Sequence, residues 1–372
     1  MEGRHVNLPI ELGSTMAFDT LEAFDKAREN RYESGTLYYG RYGNTASFEF
    51  ERAVASLEEA HGVTLTSSGV ASISFALFAL LTPGDHLLVA DNVYGNTRAF
   101  CDSVLTRQNV EVEYFDPMIG SDVATLIKSS TKAIMFEAPG SGTFEFPDIS
   151  GIANAAKAAG VRTVLDGTWA TPIFCQPLTL GVDVLVYSAS KYLGGHSDCM
   201  MGVIATTDPD LHTSIRKEVM AFGDKVGSQE VFLTLRGLRT LNMRMQIVDA
   251  AGRDMARWLE KQSQVEKVLH PALTDCPGHS HWCEQCSGAA GLFGVVFKPC
   301  KDQQVQQFVD ALHHFGIGVS WGGYESLVLP VTPVRTAKPW RESGPLVRFN
   351  IGFENLDDLK ADLLAALPLL SN

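Results

Sequence analysis

Residues 182–187 form an apolar run that reads as a buried strand, and it ends in Ser188-Ala189-Ser190-Lys191-Tyr192-Leu193-Gly194-Gly195-His196-Ser197-Asp198. A lysine at a strand end among small and hydroxylated residues has little to pack against. The plain alternative is a solvated loop lysine. Ser188 and Ser190 could hold an anion beside the amine, however, and the glycines let a bulky ligand approach the backbone. Asp166 closes an earlier apolar run, although it could equally cap the turn at Thr168. An acid at one strand end and an amine at another is the pair pyridoxal phosphate (PLP) requires: the acid for the pyridinium nitrogen, the amine for the aldehyde carbon.

The elements that must position these groups alternate along the chain. Thr20 caps a short helix, and a helical period runs from Thr45 to about residue 61. Strand 63–66 leads through Ser67-Ser68-Gly69 into helix 70–81, a turn suited to phosphate because free amides at a helix N-terminus point at the anion. Strands are expected at 86–90, 110–115, 133–136 and 161–165, with helices at 97–106 and 152–159. This succession implies a mostly parallel, doubly wound α/β sheet, with ligands beyond the C-terminal strand ends. Gly69, Tyr94, Glu137, Asp166 and Lys191 each follow an expected strand, so one crevice could gather them. From about Arg236 the character changes: a long helical segment at 230–262, then strand 291–298, helix 302–314, strand 345–351 and helix 355–370.

The 372 residues point to two domains, and 45% hydrophobic with 20% charged residues is a soluble globular composition. The net charge of -13 argues against a nucleic-acid or anionic-membrane partner. No apolar stretch reaches the roughly 18 residues a bilayer span needs. The N-terminus shows no export leader, and seven cysteines suggest free thiols in the cytoplasm.

The chain resembles the Cys/Met-metabolism PLP-dependent enzymes from about residue 15 to its end. The residues 188–198 quoted above look like the family's PLP-lysine signature. Tyr39-Gly40-Arg41, Ser68-Gly69-Val70, Val93-Tyr94-Gly95, Asp166-Gly167-Thr168-Trp169-Ala170 and Leu346-Val347-Arg348-Phe349 fall in the family's order. Glu137-Ala138-Pro139-Gly140-Ser141, Tyr114-Phe115-Asp116-Pro117 and Ser320-Trp321-Gly322-Gly323-Tyr324-Glu325-Ser326-Leu327 are most similar to the bacterial cystathionine β-lyase branch.

The resemblance implies an aspartate-aminotransferase-like fold (fold type I), a seven-stranded type of sheet sandwiched by helices, and a smaller α+β C-terminal domain. It divides the chain into an arm at 1–42 that reaches a partner subunit, a PLP-binding domain at 43–237 and a C-terminal domain at 238–372. Lys191 would carry the cofactor and shuttle protons, Asp166 would face the ring nitrogen, and Tyr94 would stack on the ring and help steer the substrate. The Gly69 and Val70 amides, Ser188 and Ser190 would hold the phosphate, joined by Tyr39 and Arg41 of a second subunit. Arg348 would receive the carboxylate of a small amino-acid substrate, lined by Ser320 and Trp321. The assembly would be a homotetramer of two such dimers. The reaction would be β-elimination of L-cystathionine to homocysteine, pyruvate and ammonia, as in trans-sulfuration and methionine biosynthesis. The alternative is γ-elimination or γ-replacement on cystathionine, methionine, O-acyl-homoserine or canavanine.

This chain departs from the family pattern at Gly167, usually Asn; at Ala138, usually Ser in the β-lyases; and at Asn350, where close β-lyases carry His. Tyr94-Gly95-Asn96-Thr97-Arg98 looks closer to the γ-active members. Cys276, His279, His281, Cys283 and Cys286 crowd into eleven residues and Cys283-Glu284-Gln285-Cys286 has zinc-knuckle spacing, but the resemblance places them in a loop that binds no metal, so no metal is expected. His196 is expected to be a structural hydrogen-bonder beside the lysine.

Overall fold

The computed structural model describes residues 6–371; residues 1–5, where the absence of a leader was read, lie outside them. Two sheets organise the chain. The larger uses β1 (Gly62–Thr66), β2 (His86–Ala90), β3 (Glu111–Phe115), β4 (Thr131–Glu137), β5 (Arg162–Asp166), β6 (Val184–Ser188) and β7 (Gly202–Thr206) in the order β1-β7-β6-β5-β4-β2-β3. Only β7 runs against its neighbours, pairing antiparallel with β1 and β6. The strands are therefore mostly parallel, as expected, and the C-terminal ends of β1, β2, β4, β5 and β6 share one edge.

Helices α1 (Leu21–Glu29), α2 (Thr45–Glu58), α3 (Gly69–Phe78), α4 (Gly95–Phe100), α5 (Ile149–Ala158), α6 (Thr171–Phe174), α7 (Pro209–Phe222) and α8 (Ser228–Leu238) precede or flank this sheet. The Thr20 cap read from sequence is present, accepting from the Ala23 amide, and Ser68 caps α3 by accepting from Ala71. Ala133, Ile134, Met135 and Phe136 of β4 are completely buried. Full burial of a side chain of this size contributes about 1.5–3 kcal/mol, which makes the central strands a rigid base for groups at their ends. Among the described residues no helix is long and apolar enough to cross a membrane.

The smaller sheet has the order β10-β11-β12-β9-β8, built from β8 (Val265–Leu269), β9 (Leu292–Phe297), β10 (Gly316–Ile317), β11 (Leu327–Val331) and β12 (Leu346–Asn350). It is mostly antiparallel and covered by α9 (Leu241–Leu259), α11 (Asp302–Asp310) and α12 (Leu356–Ala366), with α10 (His279–Gln285) between β8 and β9. Helix α9 joins the two cores: Leu241, Met245 and Val248 belong to the larger, Met255, Ala256 and Leu259 to the smaller.

The structure differs from the sequence reading in several places, among them strands β8 and β11 and helices α6 and α10, which the sequence reading does not place. Strand β7 and helix α7 were not anticipated; β7 is a five-residue run buried on both faces, so it lacks the period-two signature of a half-exposed strand. The expected helix 97–106 is α4, which passes into a single π-helical turn at Cys101–Leu105. The segment 230–262 is two helices, α8 and α9, broken at Arg239–Thr240. The break lets α8 lay Gly237 against the Gly194 carbonyl, where a Cβ would collide, while α9 returns Arg244 to the same place.

The Arg244 guanidinium is buried and donates to the carbonyls of Tyr192 (2.7 Å), Leu193 (3.4 Å) and Gly237 (2.8 Å). It also fills the space beside Gly195, whose φ of +72° and lack of a Cβ the turn requires. Arg244→Met should lower unfolding free energy by roughly 3 kcal/mol, since hydrogen bonds to charged groups contribute about 1.5–3 kcal/mol each. Urea unfolding followed by circular dichroism checks this, and a midpoint matching the parent would show that the contacts do not fix the loop.

Candidate active site

Lys191 lies in a turn after β6, and its Nζ donates to Ser320 Oγ at 2.7 Å while sitting 5.4 Å from the Trp321 ring centre. Burial, then the nearby Arg348 charge, push the amine down to about 8. The turn is held from several sides. Gly194 N donates to Ala189 O (2.8 Å), Gly195 N to Lys191 O (2.7 Å), and His196 Nδ1 to Gly194 O (2.7 Å). His196 thus has the structural bond expected of it. Gly322, at φ +82°, comes so close that a Cβ there would lie 3.2 Å from Lys191 Cα.

Asp166 ends β5, paired with Glu137 at the end of β4 and with Val186 of β6. Its Oδ1 accepts from the Thr168 amide at 3.0 Å and from the Thr168 hydroxyl. Both readings of Asp166 therefore hold together: it terminates the strand and caps the Thr168 turn. Burial pushes its carboxyl up; the Thr168 bonds and the Lys191 charge act in the opposite direction. Thr168 Oγ1 also accepts from the Ser188 amide at 2.8 Å, tying Asp166 to the lysine turn.

Sequence reasoning gave Thr168 no site role, although an Asp-x-Thr turn was its signal. Glu137 was placed in the crevice without a role. Its carboxylate accepts from the Tyr94 amide (2.7 Å) and from Ser141 Oγ (2.6 Å), and burial followed by the Asp166 charge push it well above the usual carboxylate range.

At the start of α3 the geometry of an anion cradle is present. The first helical amides, Gly69 and Val70, have no intrahelical acceptor. A Cβ on Gly69 would lie 2.6 Å from Ser188 Cβ, so only glycine lets these amides come alongside that serine. Ser190 Oγ accepts from Met201 N at 3.0 Å, anchoring the turn to the start of β7. Tyr94 opens α4, with its hydroxyl accepting from Asn96 Nδ2 at 2.8 Å. Tyr39 is half-exposed on the arm, and Arg41 donates to the Met220 carbonyl and lies against Tyr42.

Arg348 comes from the second sheet, on β12, and its Nη2 donates to the carbonyls of Gly318 (3.1 Å), Val319 (2.7 Å) and Ser320 (3.2 Å). Ser320 therefore links Arg348 to Lys191. The departures from the family pattern acquire physical reasons here. Asn350 is buried, donates to Glu325 O (2.9 Å) and accepts from Gly322 N (3.3 Å), clamping the loop that touches Lys191. A Cβ on Gly167 would meet Leu185 Cδ1 at 2.9 Å and the Tyr187 ring at 3.1 Å, so a larger residue would need repacking under Asp166. Nothing in the structure explains Ala138.

The cysteine-histidine stretch does not converge on one point. Cys276 donates to Phe144 O at 3.4 Å, while His279 bonds Pro271 O (2.8 Å) and Cys283 (3.4 Å). Among the described residues the group close enough to hold an ion is His86, Glu111 and Glu113, and there Lys128 pairs with both glutamates at 2.8 and 2.6 Å.

These residues fit PLP. The Gly69 cradle, which a Cβ would fill, matches a phosphate, the buried Asp166 a pyridinium nitrogen, and the desolvated Lys191 amine an aldehyde. Thr168→Val removes one donor to Asp166 and lets its carboxyl rise further, so the charged form is reached only at higher pH. PLP should then dissociate about tenfold more readily near neutrality, because a hydrogen bond to a charged group is worth about 1.5–3 kcal/mol. Absorbance titration of the cofactor against pH measures this; an unchanged dissociation constant would deny Thr168 the role.

The chain is 38% identical over 366 residues to a cystathionine beta-lyase of Bordetella avium, covering 97% of this chain and 92% of that one. It is 35% identical over 366 residues to the cystathionine beta-lyase MetC of Escherichia coli, covering 96% and 92%. The crystal structure of a cystathionine gamma synthase from Xanthomonas oryzae in complex with cystathionine superposes with a TM-score of 0.89 at 30% identity, over 98% of this chain and 93% of that one. The family model described as Cys/Met metabolism PLP-dependent enzyme matches residues 2–368. With its seven-stranded sheet and a lysine at the crevice edge, this chain belongs to the Cys/Met metabolism PLP-dependent enzymes.

Proposed function

We propose that this enzyme is a carbon–sulfur lyase that cleaves the Cβ–S bond of L-cystathionine, yielding homocysteine, pyruvate and ammonia. The observation that carries the reading is the Lys191 amine, desolvated and aimed at Ser320 within reach of the Arg348 loop. PLP, when bound, supplies an aldehyde for an amine and an electron sink for charge developing at the substrate's Cα. Lys191 Nζ takes the Cα proton, and its depressed pKa keeps a usable fraction of neutral base near pH 7. Arg348 grips the α-carboxylate bidentately, with its guanidinium already oriented by three carbonyls. Tyr94 stacks on the ring, and its hydroxyl or Lys191 Nζ gives a proton to the departing sulfur.

Asp166 faces the ring nitrogen, and Ser320 with Trp321 walls the substrate side. The Gly69 and Val70 amides, Ser188 and Ser190 take the phosphate. Tyr39 and Arg41 complete the phosphate site of a partner subunit in a homotetramer. In support, the arm that carries them exposes Leu12 and Leu21, apolar surface suited to burial against another chain. A division of the chain near residue 238 and a cytoplasmic setting belong to the same reading; all seven cysteines are free thiols.

The names of the bacterial relatives support β-chemistry. The loop from Tyr94 to Arg98, with Gly167 and Asn350 where the chain departs from the β-lyase pattern, motivates γ-chemistry as the second reading. Incubating the holoenzyme with L-cystathionine should release pyruvate, whereas 2-oxobutyrate would move the cleavage to Cγ. Lys191→Ala should lose at least about 10²–10⁴-fold in kcat, the usual contribution of a positioned base. Because the amine's pKa lies at about 8, below its ordinary value, the base form grows as pH rises through about 8. The parent kcat should climb over that range; a flat profile from pH 6.5 to 9 would remove Lys191 from proton transfer in the slow step.

A further inference from the structure

Asp91 follows β2 directly and is completely buried. From its own loop it accepts Arg98 Nη2 at 2.5 Å, and that guanidinium lies 3.7 Å over the Tyr114 ring. Its other donors come from the connection between β11 and β12, on the opposite domain. These are Arg335 Nε (3.2 Å), Thr336 N and Oγ1 (both 2.9 Å), Ala337 N (2.8 Å) and Lys338 N (3.0 Å). Burial pushes the Asp91 carboxyl up, and the bonds from Lys338, Thr336 and Arg98 outweigh it, holding the group below the usual carboxylate range. Arg335 reaches onward with Nη1 to both oxygens of Glu145 at 2.9 and 3.1 Å, and Glu145 accepts from Asn92 Nδ2 at 3.0 Å.

Two groups assigned to the substrate hang from the two sides of this socket. Tyr94 is three residues beyond Asp91, with its amide fixed to Glu137. Arg348 lies on β12, opposite Leu329 of β11, in the hairpin whose connection the socket captures. We propose that Asp91 and Arg335 are positioning residues, a buried carboxylate socket that sets the separation of Tyr94 and Arg348 and so the pose in which an amino-acid substrate is held. This rests on the reading of Tyr94 and Arg348 as substrate contacts. Neither Asp91 nor Arg335 touches the substrate; a displacement of either loop by about 1 Å is enough to cost up to about a hundredfold in efficiency.

The test uses the holoenzyme with L-cystathionine and the variants Arg335→Met and Arg335→Lys, beside Tyr94→Phe and Arg348→Lys. Arg335→Met should lower kcat/KM by up to about a hundredfold, chiefly through KM, with the cofactor's absorbance unchanged. Arg335→Lys should recover part of this loss, because an ammonium can pair with Asp91 but lacks the two fixed nitrogens by which the guanidinium holds Asp91 and Glu145 at once. If both Arg335 variants keep the parent KM while melting lower, the socket is a structural staple alone and the proposal is overturned. If Tyr94→Phe and Arg348→Lys also keep the parent KM, the substrate-contact reading falls and takes the socket's role with it. Should Arg335→Met not fold, Arg335→Lys decides by the same KM comparison.

Discussion

Arg244 reaches from α9 to the carbonyls of Tyr192, Leu193 and Gly237, and the placement of Lys191 depends on this buried guanidinium. A turn that leaves a strand end exposes carbonyls with no ladder partner, and leaving them buried and unpaired would be costly. Arg244 resolves that problem from the helix that joins the two cores. One interaction therefore both satisfies the turn and locks it to the helix that joins the two cores. The glycines around it follow as consequences: a side chain at Gly195 would occupy the guanidinium's place, and one at Gly237 would strike the Gly194 carbonyl.

Around that fixed turn the charges are arranged by neighbouring strands. Parallel pairing of β4 with β5 brings Glu137 and Asp166 to the same level. Two buried carboxylates so close cannot both be comfortable as anions. The structure separates their roles through hydrogen bonding: Asp166 takes the Thr168 amide and hydroxyl, while Glu137 takes the Tyr94 amide and Ser141. Glu137 accordingly rises furthest, and Asp166 is the better candidate to carry negative charge towards a ring nitrogen. Lys191 is pushed the other way by the same lack of water and by Arg348. One dry crevice thus yields both a buried acid and an amine available as a base.

The smaller sheet contributes Arg348 and Asn350 directly from β12, and two loops beside it complete the contact. The Ser320–Glu325 segment is clamped by Asn350 and lies on Lys191, and the β11–β12 connection is seized by Asp91. Contacts of this kind are specific in distance, because each uses buried charged or amide groups with no room to slide. They make the relative placement of the two sheets part of the site's construction.

Local pattern was enough to reveal the strand-end lysine, the acid at Asp166, the serine-glycine turn before α3 and the alternation of strands and helices. Each is a statement about neighbours in sequence, where hydrophobic period and small-residue turns leave direct marks. The resemblance carried Arg348 and the family. Arg244 had no such mark, and Thr168, Glu137 and Asn350 stood out in sequence without their roles: an ordinary polar residue in a strand or helix gains its role only from what lies opposite it. Strand β7 also went unread, as did the break between α8 and α9, which answers to a close approach at Gly194. What residues 188–198 determined by themselves was the kind of chemistry. Which carboxylate stays charged, how far Tyr94 stands from Arg348, and what keeps Lys191 in place were decided only by tertiary packing, since burial and cross-domain hydrogen bonds do not exist until the chain is folded.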